Sequence, residues 1–193
     1  RRAVEEGTFA FDTGPGMALI DGLARKANPG SRFDQDGRLA HHGVVNHRLL
    51  DQLLRDDYFA APPPKSTGRE RFDMSLVERI AREAPGADGV ATAVELTVRS
   101  IVDAFARWVT GTPEVLVSGG GVHHPVLMER LHGTLEGRGC TLRRFHEVFF
   151  DGDAKEAVAF ALLGYLAIHG QPGNLPAATG ASGHRVLGQV TPA

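Results

Sequence analysis

The sequence has one cysteine, Cys140, among 193 residues. A single thiol rules out an intrachain disulfide framework and fits a reducing compartment, so a cytoplasmic location is expected. No neighbour in the sequence marks Cys140 as a nucleophile, and it reads as a small buried residue. An excess of one charge is also missing: 21 basic against 23 acidic residues give a formal net charge of −2. That balance carries no signature of nucleic acid or an anionic membrane as partner. No run of ~18 apolar residues occurs, so no transmembrane helix is expected. Arg1-Arg2-Ala3-Val4-Glu5-Glu6 lacks the apolar stretch of a signal peptide and has no initiator Met, so the chain reads as starting inside something longer. Internal repeats and low-complexity tracts are absent.

The rest of the composition is that of a globular protein, 42% hydrophobic and 23% charged. Its length is enough for one substantial core or two small ones. Alternation over Thr8-Phe9-Ala10-Phe11 predicts a strand, and helical spacing predicts a helix over Met17 to Ala27, stopped by Asn28-Pro29-Gly30. Phe33 to Gly43 is polar, with a turn at Asp34, Asp36 and Gly37. Asn46 reads as the N-cap of a short helix. Ala60-Ala61-Pro62-Pro63-Pro64 is stiff and extended, and a helix is expected from Asp73. Asp88 to Val109 is apolar around much of its circumference, which predicts a helix buried between layers. Glu114 to Ser118 reads as a buried parallel strand, followed by Gly119-Gly120-Gly121 and a helix from His124-Pro125. Thr141 to Phe145 and Arg185 to Val190 are expected strands. Asp153 to Ile168 is an apolar helix, and the chain after Gly170 is loop-like. Alternating strands and helices define an α/β domain.

Two glycine turns, each after a strand and before a helix, sit where ligands bind in open α/β sheets. At the first, Asp12 ends a strand beside Gly14-Pro15-Gly16. It is placed either to work on an anion near a helix N-terminus or simply to cap the turn. At the second, three glycines in a row leave no Cβ in the way of a flat or charged ligand. Lys65-Ser66-Thr67-Gly68-Arg69 offers forked donors and hydroxyls for an anion or a sugar, or else forms a solvated loop. Asp153 complements a helix dipole. Glu156, a turn further on, is a candidate second active-site carboxylate. His41-His42 and His123-His124 are adjacent pairs pointing in different directions with no third ligand at metal-site spacing, so no metal centre is expected.

Five stretches, taken together, resemble the anhydro-N-acetylmuramic acid kinases of bacterial cell-wall recycling. They are Phe11 to Gly16 with Ala18-Leu19-Ile20-Asp21; Pro63 to Glu70; Val117 to Gly121 with Pro125-Val126-Leu127-Met128; Asp153 to Phe160; and Pro172 to Pro176 with Thr179-Gly180-Ala181. The resemblance covers the C-terminal half of that family only. It implies one lobe, residues 1–193, of a two-lobed sugar kinase, with the N-terminal phosphate-binding lobe absent from this chain. The fold implied is a ribonuclease-H-like lobe of the actin-like, sugar-kinase ATPase superfamily, a mixed sheet flanked by helices.

The resemblance further implies an ATP- and Mg²⁺-dependent enzyme that opens a 1,6-anhydro amino sugar with water and phosphorylates its 6-oxygen. It implies a cytoplasmic homodimer that binds neither nucleic acid nor membrane. Asp12 matches the base that activates the water, and Glu156 an active-site carboxylate near the sugar. Gly119, Gly120 and Gly121 match the turn against the nucleotide, with Gly14 expected beside it. Lys65 and Arg69 match a loop expected to touch the sugar or an interface. The family usually has Asn at Met17 and an Arg-Asn or Ser-Asn pair near His123-His124. The alternatives are a truncated, inactive nucleotide-binding or dimerising lobe, and another sugar kinase of the same superfamily.

Overall fold

A computed structural model describes residues 7–68, 70–111 and 113–191. The core is built around one helix, α6 (Ala87–Trp108). Its Val90, Val94, Leu96, Val98 and Val102 are fully or almost fully buried, as its all-round apolar pattern predicts. The chain before α6 packs short helices on it: α1 (Ala18–Ala27), α2 (Arg38–His42), α3 (His47–Leu53), α4 (Asp57–Ala60) and α5 (Met74–Glu83). Helices α1, α2, α3 and α5 touch α6 directly. The cap predicted at Asn46 forms, and the helix expected from Asp73 begins with Asp73 as its cap. The Asn46 side chain accepts from Leu49 N at 3.0 Å and that of Asp73 from Leu76 N at 3.0 Å, each satisfying an otherwise orphaned donor.

After α6 come β1 (Glu114–Val117), α7 (Pro125–Glu136) and β2 (Thr141–Arg144). The two strands pair in parallel, Glu114 with Thr141 through Val117 with Arg144, and α7 is the crossover that parallel pairing needs. Helix α7 closes the core with Val126, Leu127, Leu131 and Leu135, and Cys140 is buried beside it. The last elements are α8 (Lys155–Ile168) and α9 (Pro176–Thr179).

This is a mixed α/β protein, but the sheet is smaller than expected. Among the described residues it has two strands, both parallel. Thr8–Phe11 forms no ladder, because alternation supplies a strand's faces but not its neighbour. Arg185–Val190 is likewise without a ladder. Two short helices replace expected loops. Helix α2 forms because the Asp34 carboxylate accepts from Leu39 N at 2.8 Å and Ala40 N at 3.0 Å. Helix α9 starts at Pro176, where the missing N–H costs nothing. No helix among the described residues is long and apolar enough to cross a membrane.

Candidate active site

Asp12 is exposed, and its surroundings are specific. Its carboxylate oxygen Oδ2 accepts from Ser66 Oγ at 3.0 Å and from the Thr67 N–H at 2.9 Å. Its own N–H donates to the Lys65 carbonyl at 3.0 Å. Its carbonyl accepts from the Tyr58 hydroxyl at 2.7 Å. Lys65 Nζ donates to the Tyr58 carbonyl at 2.7 Å and sits 4.5 Å from the centre of that ring. The stiff proline segment thus carries its polar loop back over Asp12. A cleft of about 420 Å³ opens there, lined by Phe11, Asp12, Lys65, Ser66, Ala178 and Thr179 among others. Three of the five stretches read from the sequence therefore meet at Asp12. Arg69, the other expected cation of this loop, lies outside the described residues.

The electrostatics follow from this packing. Burial, and after it the Arg107 guanidinium, pushes the Lys65 ammonium below its ordinary range. Burial, and after it the Asp12 carboxylate, raises the Tyr58 phenol, with Arg71 partly opposing. Tyr58 had no signal in the sequence, since it lies in a helix of four residues and reaches a partner 46 residues away. Its burial among Phe59 and Phe72 orients the ring, whose polar tip then finds an acceptor.

The second glycine turn gathers the other two stretches. Gly119 has φ 89° and ψ 176°, a conformation essentially reserved for glycine. A Cβ on Gly119 or Gly120 would meet nothing within 4 Å, so the backbone lies open there. Lys155 Nζ donates to Ser118 Oγ at 2.7 Å, tying the start of α8 to the end of β1. His123 Nε2 lies 3.5 Å from Asp153 Oδ1. A crevice of about 40 Å³ between Ser118, Arg144 and Gly152 is too small for more than a water or two, so any large ligand must lie across the open face. Glu156, in the first turn of α8, is exposed and has no hydrogen-bond or ion-pair partner among the described residues. The structure therefore brings no contact between Glu156 and Asp12.

The two turns adjoin through Met17: a Cβ built on Gly121 would lie 3.6 Å from its Sδ. Gly14 is different from the triglycine. A Cβ there would stand 2.6 Å from Ser100 Oγ and 3.2 Å from the Phe59 ring, so the close approach at Gly14 is that of α6 and not of open space. The neighbouring Gly16 carbonyl accepts from Thr97 Oγ1 at 2.8 Å. His124 is buried and caps α7, its Nδ1 accepting from Leu127 N at 3.1 Å. Among the described residues no three of His, Cys, Asp and Glu are grouped to hold a metal ion.

Comparison with known proteins gives the family class of the chain that carries this carboxylate-bearing loop and open glycine turn, one of sugar kinases. The model of one family, anhydro-N-acetylmuramic acid kinase, matches residues 3–193, and the chain belongs to that family. Relatives bearing that name are similar to it. One from Gloeobacter violaceus is 46% identical over 192 residues, 97% of this chain and 50% of the relative. One from Xylella fastidiosa is 42% identical over 187 residues, 96% and 48%. One from Streptomyces coelicolor is 42% identical over 188 residues, 95% and 47%. The chain thus spans about half the length of the curated relatives it matches. A kinase family implies the use of ATP.

Proposed function

We propose that this chain is one ribonuclease-H-like lobe of a two-lobed kinase that opens 1,6-anhydro-N-acetylmuramic acid and phosphorylates it to N-acetylmuramic acid 6-phosphate. Asp12 is the base. It accepts a proton from water as the water oxygen bonds to the anomeric carbon. The bond from that carbon to the bridging 6-oxygen breaks, and the freed 6-oxygen takes the γ-phosphoryl group as that group's bond to the β-phosphate oxygen breaks and ADP leaves. The observation that carries the reading is the carboxylate itself: both of its donors fall on Oδ2, it borders a cleft of sugar size, and it is exposed to water. Positioning supplies most of phosphoryl transfer, so a rigidly held base is a fitting contribution from one lobe.

ATP supplies the phosphoryl group when bound, and the open backbone of Gly119 and Gly120 suits its close approach. Mg²⁺ commonly keeps several waters and binds through phosphates with one or two carboxylates. No three of His, Cys, Asp and Glu among the described residues group into a cage for it, so it would be held by the phosphates with at most one or two carboxylates. Glu156 faces water in the same lobe and is assigned to the sugar end, with Lys65 packing the loop against Asp12 and not reaching outward.

The test is Asp12→Asn in the enzyme at the full length of its relatives. Loss of sugar phosphorylation with ATP binding retained supports the assignment, and retained turnover sinks it. A second reading, an inactive binding lobe, is favoured for the 193-residue chain alone by the openness of the glycine turn. Half a cleft neither positions the γ-phosphate nor excludes water. Incubation of this chain with ATP, Mg²⁺ and the anhydro sugar is expected to give no product.

A further inference from the structure

The geometry points to Ser66 as a positioning residue that sets which oxygen of Asp12 works, within a frame closed by Tyr58 and Lys65. This rests on the reading of Asp12 as the base. Every polar backbone group of Asp12 is engaged: its N–H by the Lys65 carbonyl at 3.0 Å and its carbonyl by the Tyr58 hydroxyl at 2.7 Å. Lys65 Nζ closes the ring on the Tyr58 carbonyl at 2.7 Å. Two residues far from Asp12 in sequence, Tyr58 and Lys65, thus fix the peptides on both sides of it.

Within that frame only the side-chain torsions of Asp12 remain, and the loop fixes those as well. Ser66 Oγ and the Thr67 N–H both donate to Oδ2, at 3.0 and 2.9 Å. Two donors on one oxygen hold the carboxylate plane and leave Oδ1 as the atom presented to a water. Ser66 does this through a freely substitutable side chain, whereas Thr67 uses its backbone. Ser66 therefore acts through Asp12 and needs no contact with sugar or nucleotide. A small misplacement of a catalytic group is enough to cost about 100-fold in rate.

The experiment compares Asp12→Asn, Ser66→Ala, Ser66→Thr and the pair Asp12→Asn/Ser66→Ala in the full-length enzyme. It follows phosphorylation of the anhydro sugar, the KM for ATP and the unfolding temperature. Ser66→Ala is expected to lower kcat about 10- to 100-fold with the KM for ATP unchanged within about twofold. Ser66→Thr, which keeps the hydroxyl, is expected to recover most of that loss. Because Ser66 works through Asp12, the pair is expected to be no slower than Asp12→Asn alone. Tyr58→Phe keeps the ring and drops only the hydroxyl, and the same loss confined to kcat is expected from it. Wild-type kcat in Ser66→Ala, or full multiplication of the two losses in the pair, overturns the clamp. Wild-type turnover in Asp12→Asn instead overturns the base reading beneath it.

Discussion

Nε2 of His124 lies 3.2 Å from Oδ2 of Asp34, ninety residues earlier in the chain, and both side chains are buried. Because Nδ1 of the same ring accepts from Leu127 N, the proton sits on Nε2 and is donated to Asp34. Asp34 in turn caps α2 through Leu39 and Ala40. One imidazole therefore joins the starts of two helices. His124→Ala removes a cap and strips a buried carboxylate of a partner, with an expected cost of about 2–4 kcal/mol. His124→Asn keeps an acceptor for Leu127 but is shorter towards Asp34, so it is expected to lose less. Urea unfolding of the three proteins measures this. A loss in His124→Ala below about 0.5 kcal/mol, the scale of a surface change, contradicts it.

Asp21 gives a pH dependence of known sign. Burial, its largest influence, raises its carboxyl; Arg25 and His124 partly oppose, and Asp34 adds to the rise. One of its oxygens, Oδ1, is buried without a hydrogen-bond partner among the described residues. A carboxyl raised on folding favours the folded state below its unfolded value of about 3.9, and that contribution is lost as pH rises through the folded value. Asp21→Asn is therefore expected to unfold at a higher temperature than the parent at pH 7. The gap should narrow as pH falls towards about 4. Calorimetry across that range decides the matter, and a gap of constant size at every pH is the contrary result.

Gly14 is glycine because α6 is too close. A methyl group there would stand 2.9 Å from Ser100 Cβ and 2.6 Å from its Oγ. Gly14→Ala is expected to cost about 1–3 kcal/mol through overpacking. In a Ser100→Gly background the two closest obstructions are gone and only the Phe59 ring at 3.2 Å remains, so the same substitution should cost clearly less there than in the parent. Equal costs in both backgrounds, read from denaturant midpoints, argue against this account.

Helix α8 is apolar, yet the structure leaves it uncovered. Phe160 is 73% exposed, Leu162 56% and Ile168 75%. Apolar surface this continuous is unusual on a free domain. The 193-residue chain is expected to enhance the fluorescence of a hydrophobic dye such as ANS. Phe160→Ser with Ile168→Ser should reduce that enhancement without lowering the unfolding temperature, since neither residue is in the core. An unchanged dye signal in the double variant places the exposed surface elsewhere.

The sequence made legible what depends on near neighbours. The long run from Asp88 announced α6, Asn46 announced its cap and Asp73 a helix start, because periodicity and capping act within one or two turns. Asp12 and the triglycine were legible for the same reason. What escaped detection depends on partners far along the chain. Phe9 to Phe11 has the alternation of a strand, but a ladder needs a neighbouring backbone that local sequence cannot reveal. Helix α2 is set by Asp34, four residues before it begins, and that carboxylate read as an ordinary turn residue. Tyr58 entered the site only through folding, which places its hydroxyl on Asp12. The packing of Ser100 against Gly14 was likewise hidden, because the two lie far apart in the chain.

Met17 has a consequence of its own. The space between the two glycine turns is filled by a thioether, which makes no directed bond and bends at several torsions. It acts as an adjustable shim: a bulkier group at position 17 wedges the turns apart, and a smaller one lets them settle together. The separation of the two turns thus rests on a residue that holds neither of them by a hydrogen bond.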